Sequence, residues 1–295
     1  MTDIKCSCCG TTHGNLIFKG LTSIYSAREW SVVECENCRN IITIPIPSQQ
    51  ELTDIYGKIY MYPVHLLVAG EKKFRAHAMA KFIRTNFPSD ERQKILEVGC
   101  MFGYLLSDLK KDYEVKGIEI GDQAVDFCRN EGLDVTDISI EDYLKESTES
   151  FNIIILSHVF EHLLKPGEVL DELRKRLLPG GKIIICVPNS NSISRKLFGR
   201  YWGWWQVPVH INHFRKEALI KIASDKKLAV EKVIYKGGDS LMIVLNFINM
   251  FGFRSDNLSP GAFQKIILML FSSVFRYWYY IGNEEITVVM RQKDE

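Results

Sequence analysis

A doubly wound α/β sheet is the architecture that this 295-residue sequence predicts, and three observations predict it. From Lys94 onward, short apolar runs alternate with amphipathic stretches, the pattern of a parallel sheet covered on both faces. The first run ends in a glycine-bearing turn, Gly99 to Gly103, where the missing side chains permit positive φ and let a ligand approach the backbone. Glu119 then closes the second run, 22 residues after Glu97, at a place where a carboxylate can accept hydrogen bonds from both hydroxyls of a ribose. An adenosyl-containing ligand follows from that spacing.

The composition, 46% hydrophobic and 25% charged, is that of a soluble globular chain with ample apolar surface to bury. A formal net charge of +1 gives no general attraction to polyanions, so nucleic acid is not a favoured partner. MTDIKCSCCG carries no apolar export signal behind a basic start. The cysteine usage fits reduced thiols with a metal site, and a cytoplasmic location is expected.

The first unit expected is a zinc ribbon over residues 1–47. Cys6 and Cys9 form one CxxC pair, and Cys35 and Cys38 form a second after 25 intervening residues. Two such turns can supply four thiolates to one structural zinc ion. Cys8 is the spare thiol, or an alternative ligand. NLIFKG and WSVVEC between the pairs alternate as hairpin strands do. A redox role for CSCC would need a βαβ context that the flanks lack. Residues 48–90 follow as a helical linker or cap, with a short helix in 48–62 and a longer one from His65 to Asn86 that stops before Pro88.

KILEVG, VKGIEI, LDVT, FNIIILS and KIIICVP are the strand candidates of the core, separated by helices near 103–111, 122–131 and 166–177. ILEVGCMFG resembles the glycine-rich ExGxGxG motif of class I S-adenosylmethionine-dependent methyltransferases, with Met101 in place of the middle glycine. GIEIG is similar to their ribose-binding loop, DISIED to their adenine-edge segment, and FNIIILSHVFEHLLKPGEVLDELRKRLLPGGKIIICVPN to their fourth strand, EHL start and LxPGG turn before strand five. The resemblance runs from about Lys94 to Tyr235 and resumes at Glu285. It implies a seven-stranded Rossmann-like sheet of order 3-2-1-4-5-7-6 over 91–236 and 284–295. It also implies S-adenosylmethionine bound by Glu97, Gly99, Cys100, Gly103, Glu119, Ile120, Ser139, Ile140 and Ser157. A nicotinamide-dependent dehydrogenase is the competitor on the same fold, but it would want GxGxxG.

Methyl transfer to a hydroxyl needs a base, and histidine titrates nearest neutrality. His210 and His213 are the preferred candidates, with His158 beside them. HxxEH at 158–162 followed by a later histidine also resembles the divalent-metal site of small-RNA 2′-O-methyltransferases and ubiquinone-pathway O-methyltransferases, with His158 where those place a carboxylate. In SRKLFGRYWGWWQVPVHINHF, Tyr201, Trp202, Trp204 and Trp205 are candidates to stack on a sugar or isoprenoid, and Arg195 and Arg200 to meet a phosphate or carboxylate, against the alternative that the tryptophans pack the loop onto the core. Residues 237–283 read as a helical insertion, by default core packing or a homodimer interface, and otherwise a peripheral membrane contact. The function expected is O-methylation of a sugar, glycan precursor or other small metabolite. Its rivals are an RNA methyltransferase with a zinc clamp and a non-catalytic cofactor- or partner-binding protein.

Overall fold

The structure, a computed structural model, describes residues 2–3, 5–23, 26–60, 69–88, 91–237, 242, 246, 249–250 and 283–293. The N-terminal sheet is antiparallel and has the order β1-β2-β3-β4-β10, from β1 (Thr2–Asp3), β2 (His13–Leu21), β3 (Trp30–Cys35), β4 (Ile41–Ile44) and β10 (Asn212–His213). Its last strand comes from far along the chain: Asn212 pairs with Ile42 and His213 with Ile41. The 1–47 segment therefore shares its sheet with the catalytic half. Cys6, Cys8, Cys35 and Cys38 lie in one buried cluster with Leu170, Leu173 and Ile222.

Helix α1 (Gln49–Tyr60) opens with a capping box, in which Glu51 N–H donates to Ser48 Oγ and Ser48 N–H donates to Glu51 Oε2. Helix α2 (Ala69–Asn86) stops just before Pro88 and buries Met79, Ala80 and Ile83 against Ile95 of the large sheet and against Leu105 and Leu109 of the first helix that follows it. These two helices flank the cleft described below.

The large sheet combines β5 (Lys94–Val98), β6 (Glu114–Glu119), β7 (Val135–Asp137), β8 (Phe151–Ser157), β9 (Leu177–Pro188), β11 (Leu228–Lys236) and β12 (Glu285–Gln292). Their order is β11-β12-β9-β8-β5-β6-β7, which reads 3-2-1-4-5-7-6 from the far edge when β5 is counted as the first strand. Strands β5 to β9 pair in parallel, whereas β12 runs antiparallel to both β9 and β11. The connecting helices are α3 (Tyr104–Leu109), α4 (Asp122–Asn130), α5 (Ile140–Glu146), α6 (Pro166–Lys175), α7 (Ile193–Phe198) and α8 (Lys216–Asp225). Ile153 to Leu156 and Ile183 to Val187 are almost wholly buried, as strands covered on both faces must be.

Two details differ from the sequence expectation. The LLPGG stretch is not a free turn: β9 already starts at Leu177, with a register shift against Phe151 and Ile153. After β8 the chain makes only a short 3-10 turn over Phe160–His162. The helical insertion expected over 237–283 lies almost entirely outside the described residues, and with it the membrane and dimer alternatives. Among the described residues, no helix is long and apolar enough to cross a membrane.

Candidate active site

Parallel strands leave their carboxyl ends together, and the cleft sits there. It has a volume of about 430 Å³. Its floor is the turn after β5. Gly99 has φ +67, and a Cβ on it would come within 2.5 Å of Val159 Cγ2, so both conformation and space require glycine. Gly103 has φ +62, and a Cβ there would run into Leu133 and Cys128. Met101, where the motif has its middle glycine, adopts φ +46 and so keeps the left-handed geometry at a cost glycine would not bear.

Glu119 ties this turn to the next. Its Oε2 accepts from Met101 N–H at 2.8 Å, and its Oε1 accepts from Ile120 N–H at 2.8 Å and Gly121 N–H at 3.1 Å. One carboxylate thus fixes both loops. Ile120, 48% exposed, Ser139, Ile140 and Ser157 complete this end of the cleft. Ser139 also caps α5, accepting from Asp142 N–H.

Three expected cofactor residues do not line the cleft. Glu97 is buried beneath it, where desolvation pushes its carboxyl pKa well above the ordinary value. Cys100 turns its sulfur toward Gly117 in the core, and Gly103 serves the packing of the turn. Their roles are in the shape of the loop.

The opposite end of the cleft is lined by Gln49, Leu52 and Tyr56 of α1, Lys72 of α2, and His158, His162, Gln206 and Val209. Lys72 Nζ lies 3.3 Å from Met101 Sδ, so the helical cap reaches the cofactor-side turn. None of the α1 and α2 residues was singled out from sequence.

The histidines separate into distinct roles. His162 faces the cleft, edge-on to Tyr56. Its Nδ1 lies 3.0 Å from the Val209 carbonyl oxygen, so that nitrogen carries the proton and Nε2 keeps its lone pair. Burial lowers its pKa below the ordinary value, which keeps it neutral. His210 is 3% exposed and stands edge-on to His162 at 4.7 Å. Its Nδ1 bonds the Trp204 carbonyl at 2.8 Å, and burial, with His162 and His213 nearby, holds its pKa well down.

His213 is corrected as a base candidate. It is 2% exposed behind Trp205 and does not line the cleft. Thr43 Oγ1 spends its one proton on the His210 carbonyl at 2.7 Å, so it accepts from His213 Nε2–H at 3.0 Å. Burial, then Arg195, press the His213 pKa down to about 3.

His158 is corrected too. It has φ +57 and stacks on Trp204 at 5.3 Å. Burial opposes its charge, but Glu285, Cys186 and Glu161 outweigh burial and raise its pKa well above the ordinary value. Arg75 Nη2, which can only donate, also lies 2.6 Å from Nε2. Charged, the ring has no lone pair; neutral, its Nε2 lone pair belongs to Arg75. In neither form does it serve as a base.

The aromatic stretch also differs from its stacking role. Trp202, Trp204 and Trp205 are 1%, 6% and 3% exposed and pack with Trp30, Val32 and Ile41 of the N-terminal sheet. Tyr201 is exposed, Arg200 donates to the Lys19 and Gly20 carbonyls, and Arg195 lies over the Trp205 ring.

At the other side of that sheet, donor atoms of Cys6, Cys9, Cys35 and Cys38 lie within 4.8 Å of one another. Cys6 and Cys38 sulfurs are 3.5 Å apart, and Cys9 and Cys35 sulfurs 3.6 Å. Glu161, His162 and His210 form a second group whose donor atoms share the same 4.8 Å limit. Both Glu161 oxygens are buried without a hydrogen-bond partner.

A seven-stranded sheet with one antiparallel strand and a glycine-turn cleft at its carboxyl ends defines a Rossmann-like α/β protein of the nucleoside-cofactor type. A profile of the methyltransferase domain matches residues 72–233, more than half of the sequence, and the chain belongs to that family. It is similar to ubiquinone biosynthesis O-methyltransferases: 28% identical over 106 residues to that of Idiomarina loihiensis (34% of this chain, 44% of the relative), and 31% identical over 116 residues to that of Nitrosococcus oceani (37% and 49%). The chain spans less than half the length of these two relatives. Among solved structures, a SAM-dependent methyltransferase from Archaeoglobus fulgidus superposes with TM-score 0.51 at 19% identity, covering 77% of this chain and 99% of that one. The cyclase SpnF superposes with TM-score 0.50 at 13% identity, covering 74% and 81%. Such likeness gives the fold alone.

Proposed function

We propose that this methyltransferase transfers a methyl group from S-adenosylmethionine to a hydroxyl oxygen of a small acceptor, a sugar, glycan precursor or comparable metabolite. The observation that carries the reading is a single cleft with the Gly99–Glu119 loops at one end and the His162 imidazole at the other. The residues fit the cofactor: a carboxylate fixed between two loops, an exposed Ile120 beside it, and a turn bounded by two glycines whose Cβ positions are already filled by neighbours. When bound, the cofactor supplies an activated methyl on a sulfonium. The chain's part is alignment, exclusion of water and removal of the acceptor proton.

His162 Nε2 is the atom we assign to that proton. The ring is oriented by Val209, kept neutral by burial and held by contact with Tyr56. Tyr56, Leu52 and Val209 offer apolar walls, and Gln49 and Gln206 offer amide groups, a mixture suited to a small polar molecule with a hydrocarbon face.

The four N-terminal cysteines are assigned to structural zinc. A tetrahedron of Zn–S bonds about 2.3 Å long has edges of about 3.8 Å, close to the sulfur separations found here. Four thiolates close the shell, so this ion takes no part in chemistry.

One observation favours a second reading of the acceptor end. Glu161 is buried with neither oxygen in hydrogen-bond geometry, its nearest cation being His158 Nδ1 at 3.4 Å from Oε1, and it faces His162 and His210, an arrangement that leaves lone pairs for a ligand to satisfy. A divalent cation held by these three would satisfy it and would itself lower the pKa of a bound hydroxyl.

The test is transfer of labelled methyl from S-adenosylmethionine into fractionated cell extract, with and without EDTA or added Mn²⁺. Label in an alkali-stable small molecule supports the proposal. Label in RNA, or cofactor binding with no transfer to any fraction, refutes it. Transfer that needs Mn²⁺ and is lost in Glu161→Gln selects the metal reading.

A further inference from the structure

The zinc knuckle and the acceptor face meet at one side chain. Asn212 is 1% exposed and belongs to β10, the strand that the catalytic half lends to the N-terminal sheet. Its Oδ1 accepts from Ser7 Oγ–H at 2.6 Å, inside the first CxxC turn, and from Asn40 Nδ2–H at 3.0 Å, just past the second. Its Nδ2–H donates to the Leu163 carbonyl at 2.8 Å, in the turn that carries Glu161 and His162. At the preceding residue the backbone repeats the connection. Ile211 N–H donates to the Glu161 carbonyl at 3.0 Å, and Thr43 N–H of β4 donates to the Ile211 carbonyl at 2.9 Å.

The knuckle is also seated on the catalytic core directly. A Cβ on Gly167, in the first turn of α6, would lie 3.2 Å from the Cys8 carbonyl oxygen. By contrast, the cofactor loops are held by Glu119 through Met101, Ile120 and Gly121, and no hydrogen bond of the carboxylate described above reaches the knuckle.

We infer that Asn212 is a positioning residue through which metal occupancy at Cys6, Cys9, Cys35 and Cys38 sets the order of the acceptor face, segments 160–163 and 209–213. This rests on the zinc reading above. A knuckle too small to fold on its own hydrophobic core is ordered by its metal. Without the metal, Ser7, Cys8 and Asn40 lose their fixed places, Asn212 loses the donors to its oxygen, and the turn bearing Glu161 and His162 keeps only its backbone tie to β4. The cofactor end keeps its own ties. Zinc therefore governs acceptor-side order without governing cofactor affinity.

The experiment is hydrogen exchange of the full chain read by mass spectrometry, with zinc content by atomic absorption and S-adenosylhomocysteine affinity by calorimetry. In the wild-type chain, stripping zinc with EDTA should speed exchange in 160–163 and 209–213 by about tenfold or more, and restoring zinc should reverse it. Asn212→Ala should show that fast exchange with zinc bound, and adding or removing the ion should no longer change it. Asn212→Asp keeps the acceptor for Ser7 and Asn40 but loses the donor to Leu163, and should fall between. Ser7→Ala serves if Asn212→Ala does not fold, with a smaller effect in the same segments. Cofactor-product affinity should stay within about twofold throughout. Unchanged exchange in zinc-stripped wild type or in Asn212→Ala overturns this inference while leaving the zinc reading intact. A chain that takes up no zinc overturns both, and loss of S-adenosylhomocysteine binding with the zinc shows general unfolding and overturns it as well.

Discussion

Replacing Glu119 with glutamine tests the cofactor end with almost no change of shape. The carboxylate accepts three backbone N–H groups, one from Met101 and two from Ile120 and Gly121. An amide has one accepting oxygen, so in either orientation its NH₂ faces a backbone N–H that it cannot satisfy. If the oxygen serves Ile120 and Gly121, the Met101 N–H is lost; if the amide flips, the other two are. The lesser loss is one charge-assisted hydrogen bond with a donor facing a donor, roughly 1.5–3 kcal/mol. That free energy is the organisation of the cofactor turn, so it should appear as an S-adenosylhomocysteine Kd raised about 10- to 150-fold in calorimetry. Glu119→Ala, which frees all three donors, should bind no more tightly. Binding by Glu119→Gln within twofold of wild type, with the melting transition unchanged, would show that the ribose does not sit at Glu119.

Met101→Gly should relieve a left-handed non-glycine residue at φ +46 and raise stability by about 1 kcal/mol, seen as a melting temperature about 2–4 °C higher; a fall would mean that the thioether contact with Lys72 outweighs the strain. His162→Ala should slow methyl transfer about 10²- to 10⁴-fold with S-adenosylhomocysteine affinity preserved, and equal rates would remove His162 as the base. Glu285 is buried, which by itself would raise its pKa, yet Arg75 and His158 hold it at about 2 against an ordinary value of 4.5. A depressed carboxyl pKa means that the unfolded chain takes up the proton first. Stability from this group is therefore complete above about pH 4.5 and disappears as the pH falls toward 2, a change of about 3 kcal/mol. Denaturant titrations across that window should show the slope in wild type and less of it in Glu285→Gln.

The strands were legible in the sequence because their burial on both faces writes continuous apolar runs such as IIIL at 153–156 and III at 183–185. The cofactor turn was legible for a different reason: Gly99 and Gly103 have no substitute where φ is positive and a neighbour fills the Cβ site. Met101 was harder to read, since a side chain can occupy the left-handed region if a strong acceptor such as Glu119 pulls its N–H into place. The acceptor end was poorly legible. Sequence spacing gives no sign that Tyr56 and Lys72, outside the strand–helix alternation, turn into the cleft, or that three tryptophans in one stretch face inward together.

The histidines show why residue type alone misleads about chemistry. The three candidates His158, His210 and His213, and His162 with them, lie after strands four and five, and any imidazole titrates near neutrality when free. Their second nitrogens decide the outcome. His162 and His210 each give Nδ1–H to a carbonyl, and of the two only His162 lines the cleft. His213 gives Nε2–H to a threonine whose own proton is already committed, while His158 is pinned among Arg75, Glu161 and Glu285. A base needs a lone pair that nothing in the fold has claimed and a path from that lone pair to the acceptor. The hydrogen bond to the Val209 carbonyl and the place beside Tyr56 are the grounds on which we assign that role to His162, and both partners lie far from it in sequence, so the EHL motif alone does not disclose the assignment.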